Sequence, residues 1–315
     1  MDTTLKGIVS LCAGVLVFTA QDTILKYVSG GYPLTEAMAL RAIVAGPILG
    51  FLIWRYEGFA ALGRDAGFLL SRAIVLFLAY FAYYLAFPAL PLADAVALYF
   101  TVPLFVVVLA GPYLGEHANA KVWGAVFIGL IGVAVMLKPG AGLFEPAALL
   151  SLFAAAAYAF GQLMARKRGA QTSAAVFAFW QNGFFLLVAL AFPLIFAALG
   201  ITSAPHPSLQ FLVRTWVWPS TGDALLMLSC GVIAAAGTIL LVNGYRWAPA
   251  NTAAAFEYTG LVWVALFAFI FFGDVPNAST VIGSGFIVAA GLLALKAQSP
   301  ARIDAAEAGV RTPLA

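Results

Sequence analysis

Few residues in this sequence could do chemistry, and those few sit in apolar surroundings. Glu257 is the sharpest. It lies about seven residues into an apolar run, about 10 Å deep at 1.5 Å per residue. A carboxyl at such depth is costly and marks a functional position by default. It would bind an ammonium group or carry a coupling proton; the alternative is a carboxyl bonded to neighbouring helices for packing. Arg41 is seven residues into another run, with Glu36 and Asp22 in reach. A bidentate Arg–carboxylate pair there would lock two elements together, and a carboxylate-binding site is the functional alternative.

Tyrosines supply the next pattern. Tyr80, Tyr83 and Tyr84 are spaced by three and four and so share one helix face. Tyr99, Tyr158 and Tyr258 stand within other apolar runs, where each hydroxyl must find a partner or water. Together they would wall a cavity for amphipathic solutes. Singly, each is also explained by tight packing and a bond to backbone. Gln162, Asn243 and the pair Gln181-Asn182 are amides that need partners in an apolar medium, and interhelical amide bonds are a common adhesive.

Catalytic constellations are missing. There is no P-loop, no Gly-rich dinucleotide fingerprint and no metal cluster, so the expectation is a non-enzyme without metal or cofactor. His117 and His206 are the only histidines and fall in loops on opposite sides. Cys12 and Cys230 lie in apolar runs and read as buried free thiols. A lipid-handling membrane enzyme would need paired carboxylates or a metal at the interface, and neither is present in the pattern.

The elements that must position these groups follow from composition. Of 315 residues, 63% are hydrophobic and 9% charged, with mean hydropathy +1.00. Soluble domains carry about 25% charged residues, so too little polar surface remains for a water-soluble enzyme. The net charge of +3 comes with no basic–aromatic patch, which disfavours nucleic acid as a partner. Continuous apolar runs fall at about 5–27, 34–54, 68–89, 92–113, 119–138, 146–165, 174–199, 222–245, 250–272 and 278–297. They lack period-2 alternation, so the expected class is an all-α integral membrane protein with ten transmembrane helices. Residues 298–315 form a polar, Ala-rich tail expected to be disordered. The longest loop, Gly200 to Thr221, carries Trp216 and Trp218 and reads as an interfacial anchor or a gating lid.

Basic residues set the orientation. With the N-terminus inside, one side collects Lys6, Arg55, Arg64, Arg72, Lys121, Arg166, Lys167, Arg168, Arg246, Lys296, Arg302 and Arg311. The other receives only Lys26, Lys138 and Arg214. Both termini are therefore expected in the cytoplasm, with the chain in a cell inner membrane and the bilayer as its surroundings.

An internal repeat organises the runs. A shift of 158 aligns Pro91 with Pro249, Ala95 with Ala253, Ala97 with Ala255, Thr101 with Thr259, Gly115-Glu116 with Gly273-Asp274, and Lys138 with Lys296. A shift of 141 aligns Ser10-Leu11 with Ser151-Leu152, Gln21 with Gln162 and Lys26 with Lys167. The units are residues 1–140 and 141–297. Each has five spans, an odd number, so the second enters from the opposite side: two inverted five-helix repeats, as in secondary transporters.

The segments PLADAVALYFTVPLFVVVLAGPYLGE and PANTAAAFEYTGLVWVALFAFIFFGD resemble the EamA modules of the drug/metabolite transporter superfamily, over about residues 5–297. Arg41 also fits the family's first half. The sequence is most similar in feel to the YddG-like branch, which exports aromatic and other amino acids. That resemblance implies a secondary transporter, most simply an exporter of small metabolites such as amino acids, working by alternating access without a dimer. It also implies a central vestibule lined by Tyr80, Tyr83, Tyr84, Tyr99, Tyr158, Gln162, Asn243, Glu257 and Tyr258. Drug or nucleotide-sugar carriage is the alternative, but phosphates ask for inward-facing Lys or Arg, and only Lys26 and Arg41 are on offer. The first unit's mid-span proline, Pro103, faces Leu261 in the second, so the fourth and ninth spans are expected to bend differently.

Overall fold

The computed structural model describes residues 2–28, 31–86, 88–89, 98–137, 147–168, 171–272 and 278–296. Among them every regular element is helical. Six helices are long and apolar enough to cross a membrane. These are α1 (Thr3–Val28), α2 (Leu34–Tyr56), α3 (Ala66–Ala86), α6 (Ala147–Lys167), α7 (Ala174–Ala198) and α9 (Thr221–Trp247). Shorter helices are α4 (Val102–Leu114), α5 (Ala120–Leu137), α8 (Pro207–Val213), α10 (Ala250–Glu257), α11 (Thr259–Phe272) and α12 (Ala278–Lys296).

Local chemistry sets their ends. Ser173 caps α7 by accepting from Val176 N at 3.2 Å, and Ser220 caps α9 by accepting from Asp223 N at 3.1 Å. Helix α4 stops at Gly115, whose φ of 73° lies in the left-handed region that a side chain disfavours. The turn bonds Glu116 N to Ala110 O at 3.3 Å. It thereby swings Glu116 away from the axis of α4, where its carboxylate meets other helices.

The bundle is built from close helix pairs: α1 on α9, α3 on α6, α2 on α7 and α5 on α12. Glycine permits the α1–α9 approach. A Cβ on Gly14 would stand 2.9 Å from Leu241 N, and one on Gly244 would stand 2.7 Å from the Leu11 Cβ. The largest apolar core runs through α1, α3, α6 and α9 and contains the tyrosines of α3.

Two expectations need revision, and a third gains detail. The run 250–272 is not one helix: it turns at Tyr258 between α10 and α11. The fourth run turns too, at Phe100 and Thr101 just before α4; its residues 92–97 lie outside the described ones. The two runs break alike rather than differently, because both carry the same device. Thr101 Oγ1 donates to Leu98 O at 2.6 Å, and Thr259 Oγ1 donates to Phe256 O at 2.7 Å. A hydroxyl bonded back three residues competes with the helix ladder whether or not a proline follows. Third, the Gly200–Thr221 segment contains α8 and is docked. Trp216 Nε1 donates to Thr35 Oγ1 at 2.9 Å and Val217 N to Glu36 Oε2 at 3.1 Å, while Trp218 stays 96% exposed. The sites Lys138-Pro139-Gly140, Asp274 and the tail 298–315 lie outside the described residues.

Candidate functional site

Helices α3 and α6 bring most of the predicted tyrosines together, with Tyr99 arriving from the turn before α4. Tyr158 meets Tyr80 with ring centroids 5.9 Å apart and Tyr99 at 5.7 Å; Tyr83 meets Tyr99 at 4.2 Å. Tyr80 also packs on Phe185 of α7 at 5.8 Å and on Phe18 of α1 at 6.3 Å. These offset and edge-on arrangements are those that aromatic pairs prefer. The cluster is closed: Tyr84 and Tyr158 are buried, and Tyr99 is half-buried.

Glu257 is the last residue of α10, where the ninth run turns. The interruption ends the helix inside the bundle, beside a buried carboxylate. Glu257 Oε1 accepts from Tyr158 OH at 3.3 Å and from Tyr245 OH at 3.0 Å. Among the described residues no Lys or Arg pairs with it. Tyr245, near the end of α9, escaped the sequence analysis because its place beside Arg246 and Trp247 reads as a membrane-interface belt.

A second carboxyl approaches the cluster from α1. Asp22 hydrogen-bonds Tyr84, and Gln21 Nε2 donates to Tyr84 OH at 3.4 Å. Asp22 and Glu257 both act electrostatically on Tyr80 and on Tyr99, so two carboxyls bracket the same rings. Gln21 Oε1 and Gln162 Oε1 are buried acceptors with no donor among the described residues. The 141-residue offset that pairs them was the signal that could have drawn Gln21 into the site.

Three predicted residues lie elsewhere or act differently. Tyr258 is fully buried in another cluster with Val133, Leu261 and Ile287, its hydroxyl donating to Val126 O at 3.3 Å. Only its ring, stacked on Phe100 at 6.4 Å, leads back toward Tyr99. Asn243 Oδ1 accepts from Arg246 Nη1 at 2.9 Å and so serves the end of α9. Arg41 forms no ion pair among the described residues, and the expected lock with Glu36 and Asp22 is not formed. Five helical residues separate Glu36 from Arg41, a rotation of about 140° that puts them on different faces. The Glu36 carboxylate is taken by Val217 N–H instead. Asp22 still feels Arg41 electrostatically, but its hydrogen bond goes to Tyr84.

One end of the site is tied shut by a polar network. Glu116 Oε1 accepts from Arg166 Nε at 2.9 Å, and Glu116 Oε2 accepts from Ala250 N, at the start of α10, at 2.8 Å. Arg166 Nη1 continues to Arg246 O at 3.0 Å, and Asn251 Nδ2 donates to Glu116 O at 3.0 Å. One carboxylate thus joins the ends of α4 and α6 to the beginning of α10, where the exposed N–H groups favour negative charge. At the other end Tyr32 OH donates to Asp223 Oδ2 at 2.7 Å, which fastens the loop before α2 to α9.

Arg72, counted above with the flanking basic residues, is buried between α3, α6 and α7. Its Nε donates to Gly161 O at 2.9 Å and its guanidinium lies 4.7 Å from the Phe177 ring centroid.

Comparison with known proteins places this geometry. The sequence is 27% identical over 298 residues to a pseudopaline exporter, CntI, of Pseudomonas aeruginosa, covering 92% of this chain and 96% of that one. It is 24% identical to an S-adenosylmethionine uptake transporter of Rickettsia prowazekii, over 93% of each chain. To a riboflavin transporter of Vibrio cholerae it is 27% identical, over 90% of this chain and 91% of that one. A crystal structure superposes with a TM-score of 0.76 at 19% identity, covering 94% of this chain and 98% of the other; that likeness concerns the fold. These relatives carry three different kinds of solute, so the similarity holds for the family and not specifically for a YddG-like amino-acid branch. Residues 5–138 and 145–296 both match the EamA-like transporter family, and the chain belongs to that family of the drug/metabolite transporter superfamily.

Proposed function

We propose that the protein is a secondary carrier of small amine-bearing metabolites, aromatic amino acids among them, and that Glu257 receives the amine. The observation that carries this reading is the Glu257 carboxylate, buried between two tyrosine hydroxyls beside the aromatic cluster and without a cationic partner among the described residues. An ammonium supplies the positive charge that this acceptor-rich environment lacks, and aromatic walls hold both a cation and an apolar side chain. Asp22 and the free carbonyl oxygens of Gln21 and Gln162 add acceptors on the other side of the rings. Glu257 would also be the place for a coupling proton. The pseudopaline exporter and the S-adenosylmethionine uptake transporter work in opposite senses, and in a gradient-driven carrier the gradients decide the direction.

The mechanism we infer is alternating access between two five-helix units, 1–140 and 141–297, inverted in a cell inner membrane with both termini cytoplasmic. Several packing relations support it. Under the 141 offset α1 corresponds to α6, and under the 158 offset α3 corresponds to α9, α4 to α11 and α5 to α12. The pairing of α1 with α9 is then mirrored by that of α6 with α3, and α5 packs on its own counterpart, α12. Phe100 and Tyr258, 158 residues apart, stack on each other as equivalents beside a two-fold axis can. With the basic side in the cytoplasm, the Glu116 network is the inner closure and the Tyr32–Asp223 contact the outer one. A solute enters when one closure opens and the tyrosine rings part.

The test is counterflow of labelled solutes in proteoliposomes, with and without a proton gradient. The panel should contain aromatic and aliphatic amino acids, their deaminated acids, and riboflavin. Movement of the amines and not of their deaminated counterparts is expected. Equal movement of the deaminated acids would remove the role given to Glu257.

A further inference from the structure

A second polar site lies away from the Glu257–tyrosine cluster, between α2, α7 and α9. Arg41 is 5% exposed, and its Nε and Nη1 have no hydrogen-bond partner among the described residues. Leaving guanidinium N–H groups buried without acceptors is expensive, even though the Asp22 carboxyl acts on the charge, because the donors have lost water without gaining a hydrogen bond. Beside it is a cavity of about 10 Å³ lined by Arg41, Gln181, Asn182 and Thr238 together with apolar side chains, Phe185 among them. Gln181 is 3% exposed and its Oε1 also lacks a partner. The two ends of an amide are interchangeable in such a setting. Turned over, Gln181 presents an NH2 beside the two Arg41 N–H groups and the Thr238 hydroxyl. Asn182 is committed, its Nδ2 donating to Ala42 O at 3.0 Å.

We infer that this cavity binds a small monovalent anion, and that the occupant is free chloride. The donors are those a halide needs, and the volume suits a single small particle rather than the end of a larger solute. A carboxylate of the transported solute has the same charge chemistry but would have to pass Phe185. That ring lies 5.4 Å from the Arg41 guanidinium and is packed on Tyr80, which separates the cavity from the tyrosine cluster. Arg41 is also the cation that acts on Asp22, so an anion here would change the charge balance on that side of the cluster.

The test does not involve transport, so its failure and the failure of the Glu257 reading are distinguishable. The thermal unfolding midpoint of the purified full chain in neutral detergent is followed while sodium chloride replaces sodium gluconate at constant ionic strength. A parallel series uses sodium acetate. Chloride is expected to raise the midpoint saturably, as a ligand of the folded state must. Arg41→Gln should weaken the apparent affinity about tenfold or more, the range for losing hydrogen bonds to a charged group. Should that variant fail to fold, Thr238→Val keeps the arginine and should still shift the saturation point upward. No difference between chloride and gluconate, or a chloride response unaltered in both variants, would overturn the site. A response to acetate and not to chloride would overturn free chloride as occupant in favour of a solute carboxylate.

Discussion

Replacing Glu257 separates what its carboxylate does for folding from what its charge does for transport. Both tyrosine bonds, 3.3 Å from Tyr158 and 3.0 Å from Tyr245, end on the same oxygen, Oε1. Glu257→Gln conserves volume and keeps a carbonyl oxygen that can accept both. Its cost in stability should stay within about 1 kcal/mol, the scale of a single ordinary hydrogen bond. Glu257→Ala removes the acceptor and strands two buried hydroxyls at about 1–3 kcal/mol each, so about 2–6 kcal/mol together. Unfolding in detergent should place Gln beside wild type and Ala well below it. Transport should order the variants differently. A carboxylate–ammonium bond is worth about 1.5–3 kcal/mol, so losing its charge should cut amine counterflow about tenfold or more in both variants. The reasoning fails if Glu257→Gln carries amines at the wild-type rate, with the wild-type concentration dependence. If only its pH dependence survives unchanged, the proton-coupling role goes and the amine site remains.

Further outcomes follow from other contacts. Glu116→Ala removes the acceptor for Arg166 and for the first N–H of α10, a loss of about 1–2 kcal/mol from one cap and one partly exposed ion pair. Hydrophilic thiol reagents should then label Cys12, which sits 3.9 Å from Thr259 Oγ1 near the helix break, about fivefold or more faster. Cys230, fully buried, is the internal control, and unchanged Cys12 labelling would count against an inner closure. Gly129→Ala sets a methyl against the Tyr258 ring and should cost about 1–3 kcal/mol in thermal or denaturant unfolding. Gly124→Ala on the same helix meets nothing within 4 Å and should be neutral or slightly stabilising. Arg72→Lys loses the planar stack on Phe177 while retaining a donor for Gly161, and should lower stability by about 1–2 kcal/mol; exposed Arg55→Lys should leave the midpoint unmoved.

Much of the site was legible because periodicity and depth are local properties. The spacing of Tyr80, Tyr83 and Tyr84 already implied a shared face, and a carboxyl seven residues into an apolar run already implied a special role for Glu257. Tyr245 was not legible, since nothing along the chain says that the end of α9 passes Glu257. Arg41 was misjudged for a related reason. Carboxylates close in sequence suggested a pair, while helical rotation and the Val217 N–H claimed one of them.

The amino-acid sequence by itself determined a membrane-spanning helical chain, because hydropathy, run length and the punctuation between runs depend only on neighbouring residues. It also carried the repeat offsets, which are relations between residue types. The tertiary structure decided which polar groups meet. It gave Glu257 to two tyrosines, Glu116 to both an arginine and a helix start, and left Arg41 facing a cavity. A buried polar group takes whichever donor or acceptor packing brings within about 3 Å, and that choice belongs to the assembled helices rather than to any one of them.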